Sequence, residues 1–82
     1  ILNFPLGAVV ESLTFSSDGR LLASGGSFED NLVRIWDAGN GELLRELVGH
    51  QAGVVKVLFS PDSQFLVSAS YDGMVRLWGI RP

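Results

Sequence analysis

The chain has 82 residues, no cysteine and a formal net charge of −3, with a pI near 4.8. This acidic balance argues against nucleic acid or an anionic membrane as the main partner, because phosphate groups require a basic surface. No apolar run has the length of a membrane span, and without cysteine neither disulfides nor thiolate metal sites can stabilise the fold. These absences favour a cytoplasmic location. A mean hydropathy of +0.29 also indicates more apolar material than so small a domain buries comfortably.

Short apolar segments separated by turn sequences predict an all-β fold without an ordinary helix. Residues 43–47 could form one helical turn, but Gly41 and Gly49 bracket them, so a strand is favoured. The turns are rich in Ser, Asp, Asn, Gly and Pro, the residues that favour chain reversal. The predicted strands are residues 1–4, 9–15, 21–24, 32–36, 43–47, 54–59, 65–69 and 74–78.

The second half of the chain repeats the first. Phe15 recurs 44 positions later as Phe59, and Trp36 recurs 42 positions later as Trp78. The first copy therefore carries two additional residues in its turn between Ser27 and Asn31. A repeat of this length, built from short strands, is typical of a propeller blade of four strands.

The ordered motifs of the repeat resemble the WD40 family. They are Gly49-His50 before a strand, Phe59-Ser60-Pro61-Asp62 after it, and Val75-Arg76-Leu77-Trp78, while Trp36-Asp37 is the dipeptide that names the family. The resemblance covers nearly the whole chain in two copies. The first copy departs from it with Pro5-Leu6 in place of Gly-His, and the second ends in Trp78-Gly79.

This resemblance implies β-propeller blades of four antiparallel strands, with strand a at the central channel and strand d outermost. The chain would then have the strand order d-a-b-c-d-a-b-c. We expect residues 1–7 to hold a d strand that completes a neighbouring blade, residues 8–48 the first repeat, and residues 49–82 a second repeat without its own d strand.

Two wedge-shaped blades cannot join their own ends, so we expect the first strand to pair with the last c strand of another copy. The result would be a closed homo-oligomeric ring with an even number of blades, from a trimer to a pentamer, with a tetramer or pentamer favoured. The expected inter-chain pairing joins Ile1, Leu2, Asn3 and Phe4 to Val75, Leu77 and Trp78.

His50, Ser68 and Asp72 have the residue types of a serine hydrolase triad. The family resemblance implies instead that they form, with Trp78, a structural hydrogen-bond network. The structural role is favoured because Ser68 lies within an apolar strand and has no nucleophile elbow or oxyanion donor nearby. The first copy keeps Ser24, Asp30 and Trp36 but lacks the histidine, so we expect a weaker network there. No catalytic residue, metal site or cofactor is predicted.

The loops between strands b and c and between d and a surround the channel mouth in this family. The candidate binding face on these loops comprises Phe28, Glu29, His50, Gln51 and Tyr71. Arg34 and Arg76, at matching positions on the two c strands, are expected to stack over tryptophan or to pair with acids between blades, and binding of anions is less favoured.

The expected function is a non-enzymatic binding or scaffold module for proteins, peptides or small ligands. The alternatives are a fragment of a longer single-chain WD40 protein and a purely structural or designed propeller without a ligand. An enzyme at the channel mouth is the least favoured alternative, because the sequence offers few convergent titratable groups there.

Overall fold

The computed structural model describes residues 10–26 and 30–80, which form seven antiparallel strands in two sheets. The all-β expectation is therefore confirmed, and 43–47 is a strand. Within the described part of the chain, no helix is long and apolar enough to cross a membrane. The first sheet contains β1 (Val10–Phe15), β2 (Leu21–Gly26), β3 (Val33–Asp37) and β4 (Leu43–Leu47), and the second contains β5 (Val54–Phe59), β6 (Phe65–Ser70) and β7 (Val75–Gly79).

Within each sheet, the strands pair with their sequence neighbours, giving the orders β1-β2-β3-β4 and β5-β6-β7. The two sheets share one irregularity in addition to this order. The β1–β2 register shifts between Val10 and Ser12, and the β5–β6 register shifts at the matching place between Val54 and Lys56. The predicted strand at residues 1–4 and its pairing with another copy lie outside the described residues.

The first turn of each sheet is built around an aspartate. Asp18 Oδ1 accepts hydrogen bonds from Ser16 Oγ and Arg20 N at 2.7 and 3.0 Å. Asp62 Oδ1 accepts equivalent bonds from Ser60 Oγ at 2.6 Å and from the backbone N–H two residues after it at 3.0 Å. Such side-chain acceptors replace the backbone partners that a reversing chain loses.

The hydrophobic core lies between the two sheets, which pack face to face. Its buried members are Ala23, Val33, Ile35, Val54, Val57, Leu66 and Ile80. The sheets approach closely at Gly25, where an added Cβ would lie 2.7 Å from Val54 Cγ1. A direct hydrogen bond from Val57 N to Ser12 Oγ, 3.1 Å long, joins β5 to β1.

The second sheet leaves its far side uncovered. Val75 and Leu77 are 67% and 66% exposed, whereas the matching residues of the first sheet, Val33 and Ile35, are buried at 0% and 2%. The difference follows from the stacking, since the second sheet covers this side of the first. We call the uncovered surface the second-sheet open face; its members, which the register places on one side, are Leu58, Phe65, Val75 and Leu77.

The first sheet has an uncovered side at the opposite end of the stack. Leu13 and Phe15 are exposed there, although the residue that matches Leu13 in the second sheet, Val57, is buried. We call Leu13 and Phe15 the first-sheet open face. The chain is therefore a two-sheet stack with apolar side chains at both ends, which accounts for its high mean hydropathy.

Candidate functional site

A hydrogen-bond network joins four side chains of the second sheet and its connecting segments. His50, between β4 and β5, places Nδ1 3.1 Å from Asp72 Oδ2 in the β6–β7 turn. Its Nε2 lies 2.6 Å from Ser68 Oγ on β6, and the same oxygen accepts a 2.8 Å bond from Trp78 Nε1 on β7. The structure thus brings together all four residues that the sequence grouped in the second repeat.

The order of donors in this network follows from its two ends. The Asp72 carboxylate can only accept, so the His50 Nδ1–H donates to it. The Trp78 indole can only donate, so the Ser68 hydroxyl accepts from Trp78 and has its own proton available for His50 Nε2. Each buried polar atom in the chain of bonds then has a partner.

Asp72 also fixes backbone on both sides of the site. Its Oδ2 accepts from Gln51 N at 2.9 Å, and its Oδ1 accepts from Met74 N at 2.8 Å. The Gln51 bond is the main cause that lowers the pKa of Asp72 to about 2, and the Met74 and His50 bonds act in the same direction. These bonds stabilise the ionised carboxylate.

The connectivity Asp72–His50–Ser68 matches that of a catalytic triad, but the position of the serine does not suit catalysis. Ser68 is fully buried, and its oxygen is already engaged by both His50 and Trp78. A nucleophile must be within reach of a substrate carbonyl and of oxyanion donors. The geometry therefore favours a structural role for the network.

The first sheet has a reduced form of this network. Trp36 Nε1 donates to Ser24 Oγ at 3.2 Å in a buried position. Asp30 was expected to join this pair but has other partners. Its Oδ1 accepts a hydrogen bond from Leu32 N at 3.1 Å, and its Oδ2 lies 2.6 Å from Arg34 Nη1. Without a histidine to orient, the carboxylate pairs with the nearest cation.

The predicted binding face divides into exposed and buried members. Tyr71 is 72% exposed and Gln51 is exposed as well, whereas His50 is only 6% exposed. The inclusion of His50 in a contact surface is therefore corrected, because its ring nitrogens are used within the fold. Phe28 and Glu29 lie outside the described residues.

The two matching arginines have different surroundings, a difference that the repeat pattern alone does not reveal. Arg34 donates through Nε to Glu46 Oε2 on β4 at 3.1 Å and through Nη1 to Asp30 Oδ2 at 2.6 Å. Both acids belong to the first repeat, so the expectation that Arg34 pairs with acids of another blade is corrected. Arg76 lies with Cζ 6.0 Å from the ring centroid of Trp78. Glu46 was not among the residues expected at the site, although its place directly before the last residue of the predicted strand 43–47 was the available signal.

A groove of about 390 Å³ opens between the two sheets, at the opposite end of the strands from Tyr71. It is lined by Ser16, Asp18, Arg20, Leu21, Asp62, Ser63 and Gln64. Ser17 N and Ser63 Oγ form a 3.0 Å hydrogen bond across the junction. Within residues 10–26 and 30–80, no group of three or more His, Cys, Asp or Glu side chains is arranged to hold a metal ion.

Comparisons with known proteins agree with this geometry. The family model described as "WD domain, G-beta repeat" matches residues 5–37 and 41–79. Nuclear distribution protein PAC1 of Arthroderma benhamiae is 48% identical over 64 residues, which cover 78% of this chain and 13% of that protein. Cilia- and flagella-associated protein 52 of Bos taurus is 32% identical over 94% of this chain and 12% of its own length. The chain thus spans about one eighth of these curated relatives.

Solved structures with the same fold are also similar in sequence. The β-propeller domain of Myceliophteria thermophila Cps50 (Swd1) superposes with a TM-score of 0.85 and 30% identity, over 96% of this chain and 24% of that one. The computationally designed Ika4 protein superposes with a TM-score of 0.76 and 33% identity, over 89% of this chain and 42% of that one.

Proposed function

Because the chain belongs to the WD40 repeat family, we propose that it forms two neighbouring blades of a β-propeller that acts as a non-enzymatic binding scaffold. The observation that carries the proposal is the pair of open faces. Side chains that are buried where the two sheets meet are exposed at their matching positions at the ends of the stack. Further blades of the same kind would cover both faces, as the second sheet covers the first.

The binding surface that we propose is the loop end that carries Tyr71 and Gln51. Both side chains are exposed. Their backbone is held by hydrogen bonds between the two loops: Gln51 N donates to the Asp72 carboxylate, and Tyr71 N donates to Gly53 O at 3.0 Å. A rigid backbone under an exposed aromatic side chain lowers the entropy lost on binding. The acidic chain, with its net charge of −3, favours neutral or basic peptides over anionic ligands.

A selection from a displayed random peptide library, made against the immobilised chain, tests this surface. We expect Tyr71→Ala to weaken the selected peptides about tenfold or more, because exposed aromatic anchors dominate such contacts. Leu44→Ala, at an exposed apolar residue on β4, is the matched control and should leave binding unchanged. Peptides that lose affinity only in the control variant would place binding elsewhere and contradict the proposal.

The remaining blades have two proposed sources. Copies of this chain would supply them in the homo-oligomeric ring expected from the sequence, and further repeats of a longer polypeptide would supply them in the other arrangement. The length of the curated relatives supports the second source. A native mass of three, four or five times 8.8 kDa would support the ring of copies, and a stable monomer of 8.8 kDa would contradict it.

A further inference from the structure

We propose that Arg76 selects the strand that completes the second sheet, and that this strand carries a glutamate opposite Arg76. The inference rests on the proposed function, because it requires a fourth strand beside β7.

The first sheet shows what a completed arrangement looks like. Arg34 on β3 lies opposite Glu46 on β4 in the strand register, and the two residues point to the same side of the sheet. Arg34 Nε donates to Glu46 Oε2 at 3.1 Å. The fourth strand of this sheet therefore provides the acceptor for the Nε–H of the arginine.

Arg76 occupies the same place in the second sheet. It lies opposite Ser68 on β6, as Arg34 lies opposite Ser24 on β2. The second sheet has no fourth strand within the described residues, and β7 is its edge. Arg76 Nε is buried and has no hydrogen-bond partner there.

The surroundings of Arg76 keep its guanidinium in place. Its Cζ lies over the Trp78 ring, and a Cβ added at Gly49 would be 3.2 Å from both Cζ and Nε. A buried N–H donor without an acceptor destabilises a fold, and a charged acceptor satisfies it best. A strand that brings a carboxylate to this position is therefore preferred over one that brings an apolar side chain.

The partner strand is thus an extended, mainly apolar segment with one glutamate, like the sequence Leu-Leu-Arg-Glu-Leu of β4. The sequence of residues 1–4, where a strand is predicted, does not fit that description. The 44-residue spacing of the repeat aligns Glu46 with Leu2, which has no acceptor in its side chain. The pairing of Arg76 consequently favours a strand from a further repeat over residues 1–4 of a second copy.

The test appends a fourth strand to the intact chain. Residues 41–48, added directly after Pro82, reproduce the spacing between β3 and β4 in the first sheet. Three versions carry Glu, Gln or Leu at the position that corresponds to Glu46. A fourth carries residues 41–44 followed by residues 1–4, so that Leu2 takes the place of Glu46 at the same spacing. Urea unfolding of each version gives the equilibrium constant for unfolding.

The equilibrium constant for unfolding should be about tenfold smaller in the Glu version than in the Leu version, because only the Glu version adds a partly buried, charged hydrogen bond. Arg76→Met should remove this difference, and Arg34→Met, the matched change in the first sheet, should preserve it. Should Arg76→Met fail to fold, the Arg76 Nε–H resonance gives a second readout, since its exchange with solvent slows only when an acceptor is present.

The outcomes separate the two proposals. Equal stabilisation by all appended strands would overturn selection by Arg76 and leave the completion of the second sheet intact. No stabilisation by any appended strand would overturn the proposed completion itself. A stronger effect from the version with residues 1–4 than from the Glu version would also contradict the inference and support pairing between copies.

Discussion

His50 shows how a single residue links three parts of the second sheet. It contacts Asp72 in the β6–β7 turn and Ser68 on β6, and through Ser68 it is connected to Trp78. At the level of the sequence, this group was implied by the resemblance to the WD40 family. Burial of the ring, which assigns His50 to the fold and removes it from the binding face, became clear only in three dimensions.

Replacement of this residue by His50→Ala should destabilise the chain. The change leaves the buried Ser68 hydroxyl and the Asp72 carboxylate each with one partner fewer, at a cost of about 1–3 kcal/mol. Urea unfolding measures the loss. Tyr71→Ala, at the exposed residue directly before Asp72, is the control, and its free energy of unfolding should change by less than about 0.5 kcal/mol. An unchanged free energy of unfolding in His50→Ala would refute a stabilising role of the network.

Asp72 makes the stability of the chain depend on pH in the acidic range. Its pKa in the folded state is about 2, below the ordinary value of 3.8, so the folded state favours the ionised carboxylate. The resulting stability is present above the unfolded pKa and is lost as the pH falls from about 4 towards 2. Unfolding measured across this range should show a smaller loss in Asp72→Asn than in the unmodified chain; equal losses would assign the effect to other groups.

The junction between β2 and β5 depends on how closely two backbones approach. Gly25 leaves no room for a side chain, because an added Cβ would meet Val54 Cγ1 at 2.7 Å and Val54 O at 3.3 Å. Glycine in a strand often marks such an approach. The sequence shows a glycine here and an alanine, Ala69, at the matching place of the second sheet, but the reason for the difference is the packing of β5.

We expect Gly25→Ala to destabilise the junction by about 1–3 kcal/mol, the usual cost of forcing additional atoms into a packed core. Gly79→Ala is the matched control, since a Cβ at Gly79 would meet nothing within 4 Å. Thermal unfolding of the two variants provides the comparison. Equal melting temperatures would mean that the sheets can move slightly apart with little loss of stability, so that the close approach contributes little to the free energy of unfolding.

The whole molecule is a stack with two apolar ends. The second-sheet open face and the first-sheet open face carry residue types that are buried where the two sheets meet. An exposed face of this kind is normally covered by another element or another molecule. The arrangement explains why so short a chain contains so many apolar residues.

Concentrated solutions of the chain should therefore show reversible association through the open faces. Leu77→Lys should weaken it about tenfold, because the change would bury a charge in an apolar contact. Met74→Lys, at an exposed apolar residue of the β6–β7 turn, is the control. Sedimentation velocity over a range of concentrations measures both variants, and equal weakening by both would show that charge alone, not the open face, controls association.

The sequence by itself determined the strands, their turns and the repeat. Strands and turns depend on local residue order, because apolar segments and turn-forming residues act over a few positions. The repeat is visible because the same motifs return after 42 to 44 residues. The composition of the His50–Ser68–Asp72–Trp78 group was also readable, since its members recur at family positions.

Only the tertiary structure decided which apolar faces are covered, that His50 is buried, that Asp30 pairs with Arg34, and that Arg76 Nε lacks the acceptor found by Arg34. These properties depend on which sheet or strand lies beside a residue. Two repeats with matching motifs therefore differ, because the two sheets are covered on opposite sides. Within the described residues, the first sheet also has a fourth strand at its edge, whereas the second ends at β7.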